Sequence, residues 1–125
     1  MSFDRKAALA KVRAICLNLP AAAEKVSHGQ PAFFIEKGKI FAWFLDHHHD
    51  SGITAVAVKT GGAEEQDMLI EIDPDLYYKP PYIGPAGWIG IRLDVAATDW
   101  AHVADRIAVS WRMVAPRRLL SEAES

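Results

Sequence analysis

Near the C-terminus, apolar residues recur at Trp100, Val103, Ile107, Trp111 and Val114. Steps of three and four lay them on one face of a helix. Thr98 is its expected N-cap and Pro116 its end. A weaker stripe of the same period, Ala8, Val12, Ile15 and Leu19 with Cys16 beside it, predicts an N-terminal helix. Ser2 or Asp4 would cap that helix, Pro20 would stop it, and Lys6, Lys11 and Arg13 would face solvent. Between the two helices the period shortens. Residues 32–36, 39–46 and 53–59 predict three strands, the first two joined by a tight turn at Lys37-Gly38. In residues 39–46 apolar side chains fill both faces, Ile40, Ala42 and Phe44 on one and Phe41, Trp43 and Leu45 on the other. That pattern marks a central strand covered on both sides, or an aromatic patch exposed on one. Residues 63–72 predict a second helix with an apolar stripe of Met68, Leu69 and Ile72. Its acids Glu64, Glu65 and Asp67 sit where a helix dipole favours them. Residues 21–31 read as a connector, and 88–93 as a further strand.

The densest signal lies in residues 77–94, YYKPPYIGPAGWIGIRLD. Pro80 and Pro81 fix φ and remove two backbone donors, so this segment is excluded from mid-sheet. Lys79 to Tyr82 is expected to be extended, and Gly84-Pro85 to turn. Gly87 and Gly90 permit close approach of backbone or ligand to the strand that follows. The aromatic residues Tyr77, Tyr78, Tyr82 and Trp88 line this stiff corner. It reads either as a recognition surface or as a scaffold loop covering the core edge.

A chain of 125 residues, half of them hydrophobic, suits one α+β domain able to bury its own core. We expect an antiparallel sheet packed by the N- and C-terminal helices over residues 1–120, followed by a frayed tail at 121–125. The lone Cys16 excludes an intrachain disulfide, is read as a buried hydrophobe, and fits a cytoplasmic protein. No signal-peptide core or membrane-spanning run is present in the sequence. The formal net charge of −2 argues against a domain made mainly to grip nucleic-acid backbone, unless charge is locally segregated.

Candidate chemistry is sparse. There is no phosphate-binding loop, dinucleotide fingerprint, paired-cysteine metal site or nucleophile elbow. The run Asp46-His47-His48-His49-Asp50 has ligand-type side chains, but neighbours in a strand alternate faces. It is read as a solvated hairpin loop, and no metal or other cofactor is expected. His28, in a polar turn, is either a base or ligand contact, or a histidine bonded to its own turn. Arg112, Arg117 and Arg118 cluster near the end of the last helix and either offset its dipole or contact phosphate.

Taken together, Ser27-His28-Gly29 with Pro31 and Phe33, Lys39-Ile40-Phe41-Ala42-Trp43, Ala57-Val58-Lys59, Tyr78 with Pro81-Tyr82-Ile83-Gly84, Gly87-Trp88-Ile89-Gly90 with Leu93-Asp94, and Trp111-Arg112 with Val114-Ala115-Pro116 resemble the MmcQ/YjbR-like family. The resemblance spans nearly the whole chain. It implies an α+β fold of frataxin-like, double-wing topology and DNA as partner, with no catalytic residues to carry over. On that reading Lys39, Lys59, Lys79, Arg92, Arg112, Arg117 and Arg118 contact phosphates, and Tyr82 or Trp88 stacks on bases. The alternative is a small-ligand or peptide module with a cleft beside the Tyr82–Trp88 loop, anchored by His28 and Arg92. An enzyme would need His28 as base near Arg92 or Asp94, and no nucleophile or metal set supports one. A further alternative is self-association through strand-face aromatics such as Trp43. A monomer or weak dimer, away from membranes, is expected.

Overall fold

The computed structural model describes residues 3–47 and 52–124; Ser2 and the His48 to Ser51 part of the histidine loop lie outside the described residues. The first helix, α1 (Arg5–Leu17), starts at Asp4, whose carboxylate accepts the Ala7 N–H at 3.1 Å. Asp4 is thus the cap, and Val12 and Cys16 are fully buried beneath α1. Six strands follow: β1 (Ala22–Ser27), β2 (Gln30–Ile35), β3 (Ile40–Asp46), β4 (Thr54–Lys59), β5 (Tyr77–Tyr78) and β6 (Trp88–Arg92). They form one sheet of order β1-β2-β3-β4-β6-β5, every neighbouring pair antiparallel. The helix α2 (Ala63–Ile72) links β4 to β5, α3 (Trp100–Val114) follows β6, and α4 (Arg117–Glu124) closes the described chain. The α+β domain with an antiparallel sheet under its first and long C-terminal helices is therefore as expected.

Four differences have physical reasons. Residues 22–27, expected to be connector, form β1, because Ala-Ala-Glu-Lys-Val-Ser pairs along its whole length with β2. The cap of α3 is Asp99 rather than Thr98: Asp99 accepts the His102 N–H at 3.1 Å, while the Thr98 hydroxyl donates to the Leu93 carbonyl. Of the tail expected to fray at 121–125, residues 121–124 are helical in α4, which opens on backbone bonds from Leu119 and Leu120 to the Pro116 carbonyl, and Ser125 lies outside the described residues. Finally, the β2–β3 register slips near Phe34, where Phe33 faces Ala42 but Phe34 faces Ile40. One extra residue on β3 forms a bulge. Phe41 thereby joins Ala42 and Phe44 in the core under the helices, and Ile40 joins Trp43 and Leu45 on the other side.

The main core lies between the sheet and α1 and α3, with Phe33, Phe41, Val56, Ile89, Ile91, Ile107 and Trp111 closely packed. Trp111 is buried as expected, and its indole N–H donates to the Pro20 carbonyl at 3.1 Å; Trp100 is only half-buried. Ser110 is the hinge of the packing. Its hydroxyl donates to the Phe41 carbonyl at 2.6 Å and accepts the Lys59 N–H at 2.9 Å, fixing the second half of α3 over the start of β3 and the end of β4. The other face carries a smaller cluster of Ala32, Trp43, Leu45, Ala57 and Trp88.

Candidate functional site

Antiparallel registry gives the sheet two chemically different ends. At one end lie the finish of β2, the start of β3, the finish of β4 and the start of β6, with Lys59 directly opposite Trp88. The Lys37-Gly38 turn is here, closed by bonds from Gly38 N–H to Ile35 O (2.7 Å) and from Ile35 N–H to Lys39 O (3.0 Å). The Ser110 bonds bring the C-terminal part of α3 to the same end, and with it Arg112 and the Arg117-Arg118 start of α4. Lys79, just after β5, also lies here, because Tyr78 pairs with Gly90 and the chain then runs on past Trp88. Eight of the ten sequence-derived candidates, Lys39, Lys59, Lys79, Tyr82, Trp88, Arg112, Arg117 and Arg118, thus share one end.

The other two candidates, His28 and Arg92, lie at the opposite end. His28 is exposed in the β1–β2 turn at φ 51°, with its ring 6.3 Å from that of Trp43. With β3 and β4 between β2 and β6, it is remote from both Arg92 and the Tyr82 loop. The pairing of His28 with Arg92 or Asp94 that a catalytic base or shared ligand cleft would need is absent from the geometry. Arg92 is held by Asp94 through a two-pronged bond, Nε to Oδ1 at 3.0 Å and Nη2 to Oδ2 at 3.1 Å. Burial opposes the Asp94 charge, but the Arg92 bonds and the Thr54 N–H outweigh it and hold that carboxyl below its ordinary range. An arginine occupied in this way is a poor phosphate ligand.

Local electrostatics separate the two ends further. Lys79 is paired with Asp67 at 2.8 Å. Among the described residues, no ion pair holds Lys39, Lys59, Arg112, Arg117 or Arg118. Lys37, which the sequence reading passed over, stands beside Lys39; its place in a two-strand turn was the signal that it would be exposed. Glu36 is the acid next to this turn in the chain, and the start of α2 brings Glu64, Glu65 and Asp67 to the same end, with Glu65 paired to Arg106 at 2.9 Å. By contrast, Asp4, Asp46, Asp94 and Asp99 gather at the far end, where Arg5 reaches Asp46 at 3.3 Å, and Asp73 and Asp75 enter β5 from that side.

The aromatic loop differs from expectation. The chain is not extended through Tyr82 but turns there, with Gly84 N–H bonded to Pro80 O at 2.9 Å and Ile83 N–H to Pro81 O at 2.8 Å. Tyr82 takes φ 68° and is 81% exposed, whereas Trp88 is 8% exposed. Trp88 therefore packs under the loop and offers no stacking face, with Lys59 Nζ 6.0 Å from its ring centroid. The recesses found elsewhere lie along α1, against Phe44 and Asp46 and in the groove between α1 and α3. Sequence reading also missed Gln66, a buried amide on α2 that donates at 2.7 Å to both Gly84 O and Trp88 O and so fixes the loop. Among the described residues no group of three or more His, Cys, Asp or Glu is placed to hold a metal.

The YjbR family model matches residues 17–113. The chain belongs to the YjbR family. A solved Deinococcus radiodurans protein, DR2400, carrying the DUF419 domain, is similar at 14% identity and TM-score 0.67, over 84% of this chain and 76% of that one. At that identity the likeness concerns the fold alone. No curated protein matches the chain. The matched span runs from the end of α1 into α3, so this YjbR domain takes in the whole sheet and the β2–β3 turn, β4 end and aromatic loop of its basic end.

Proposed function

We propose that this YjbR-family protein is a non-enzymatic nucleic-acid-binding module, with DNA as its first candidate partner, that grips phosphates at the basic end of its sheet. The observation that carries the reading is the convergence there of Lys39, Lys59, Arg112, Arg117 and Arg118, none of them tied up in an ion pair among the described residues. Phosphate contacts position a nucleic acid without reading its sequence, and they need no deep pocket. The local balance answers the objection raised by the net charge of −2: acids are present at this end too, Glu36 and the Glu64, Glu65 and Asp67 of α2, but Glu65 and Asp67 are already paired with Arg106 and Lys79, while the five cations stay outside those pairs. No helix among the described residues is long and apolar enough to cross a membrane, and the buried Cys16 suits the reducing cytoplasm we assign to it.

The test is fluorescence anisotropy with a labelled oligonucleotide over a salt series. If five phosphates are neutralised, log affinity should fall with log salt with a slope of about −4.5 on duplex DNA and about −3.5 on a single strand. Absence of binding at low salt would sink the reading.

A further inference from the structure

We propose that the basic end takes single-stranded nucleic acid, with Tyr82 as the platform on which one unpaired base stacks; this rests on the nucleic-acid reading above and narrows it. Tyr82 stands out among the tyrosines. Tyr77 is buried in the core and Tyr78 lies against Gly90, whereas Tyr82 is 81% exposed. Its left-handed backbone is disfavoured for a bulky aromatic residue and persists only where its surroundings impose it. Those surroundings are on both sides: buried Pro80 and Gly84, the two turn bonds between residues 80 and 84, and the double anchor from Gln66 to Gly84 O and Trp88 O. The ring is thus held outward on a rigid loop, and little ordering is left to be done when a partner arrives.

What such a ring can accept follows from the chemistry of bases. Each base has a π-face, but in a duplex those faces are covered by neighbouring pairs. An unpaired nucleotide offers one to a protein side chain without the cost of unstacking a duplex. A stacking ring beside cations is the usual composition of a strand-binding surface. Lys59, held by no ion pair among the described residues, lies opposite Trp88 in the register and adjoins the loop from β4, while Lys79, three residues before Tyr82, is engaged with Asp67. Reading a duplex by its bases, as opposed to gripping its phosphates, needs an element to enter a groove. The helices starting at this end are α2, whose first turn carries Glu64 and Glu65, and α4, whose Leu119 is buried in the core.

The experiment compares oligo-dT, oligo-U and a duplex DNA of equal length in anisotropy titrations at one low salt concentration, with the native protein, Tyr82→Ala and Tyr82→Phe. The expected result is tighter binding of the single strands than of the duplex. Tyr82→Ala should then lose about five- to a hundredfold on single strands, the weight of one base–aromatic stack, with an unchanged salt slope. Tyr82→Phe should retain native affinity, and all three proteins should bind duplex alike. A 2-aminopurine placed in the oligonucleotide should be quenched by the native protein and Tyr82→Phe but not by Tyr82→Ala. Equal affinity for single strand and duplex, or native single-strand affinity in Tyr82→Ala, would overturn the stacking proposal and leave the phosphate-gripping reading in place. Failure of every probe to bind would overturn both.

Discussion

A methyl group placed on Gly90 would lie 2.3 Å from Cε1 of Tyr78 and 2.6 Å from its Cζ. The Tyr78 ring therefore lies against the face of β6 at the one position where no side chain stands in its way, its own cross-strand partner. Burial, reinforced by the nearby Asp94 charge, pushes the Tyr78 hydroxyl up from 10.0 to about 12. A folded pKa above the unfolded value means full stability below pH 10. Between 10 and about 12 the unfolded chain gives up its proton first, so stability falls as pH rises through that window. We expect alkaline denaturation curves of Tyr78→Phe to be flatter across that window than those of the native protein. We expect Gly90→Ala to lift the ring, at a cost of about 1–3 kcal/mol in urea unfolding, and to return the Tyr78 titration toward its ordinary value. Cys16 behaves in the same sense: burial, aided by the Glu24 charge, raises its thiol far above the ordinary range, in keeping with the buried hydrophobe read from its place beside the α1 stripe.

Among the elements, α2 and α3 matter less for their length than for one polar residue each. Ser110 is fully buried and satisfies two backbone groups, so Ser110→Ala leaves the Lys59 N–H and the Phe41 carbonyl without this partner. The expected cost is about 1–3 kcal/mol, measured by chemical denaturation. Gln66→Ala should act more locally. With both 2.7 Å anchors gone, hydrogen exchange at the Gly84 and Gly87 amides should accelerate, while exchange in β3 and β4 stays at native rates. Neither role was legible in the sequence, because a serine within an apolar stripe and a glutamine in a polar run look like solvent positions. The elements with strong periodicity were legible: α1, α2, α3, β3, β4 and β6 lie within a residue or two of their expected spans. β1 was not, since its apolar content is two alanines and an exposed Val26, and pairing with β2 rather than propensity makes it a strand. The β3 bulge was hidden for a related reason. Ile40 and Phe41 are both apolar, so either register reads the same until β2 is laid beside it.

Over the whole molecule, the decisive property is where the charges go, and this depends on topology alone. The sequence alternates acids and bases with little pattern, and its sum of −2 suggests a surface indifferent to polyanions. Antiparallel pairing then sends the β2–β3 turn, the end of β4, the aromatic loop and the end of α3 to one end, and the capping and strand-terminal aspartates to the other. The acids at the start of α2 share the first end, so the proposed attraction of a polyanion depends on the cations there that no ion pair holds among the described residues, and it should fade with salt. Two doubly substituted proteins separate field from sum. Lys39→Gln with Arg112→Gln, and Lys6→Gln with Lys11→Gln on the solvent side of α1, both take the formal net charge from −2 to −4. All four side chains are exposed, so both variants should fold with native melting temperatures. If net charge governed association, oligonucleotide affinity would fall equally in the two. If the proposed basic end governs it, the first pair should weaken binding at low salt and make the log–log salt slope about 1.8 units shallower on duplex, at about 0.9 per lost phosphate contact. The second should leave the slope unchanged and the affinity within about twofold of native, since charges beyond a Debye length of about 10 Å are largely screened at 0.1 M salt.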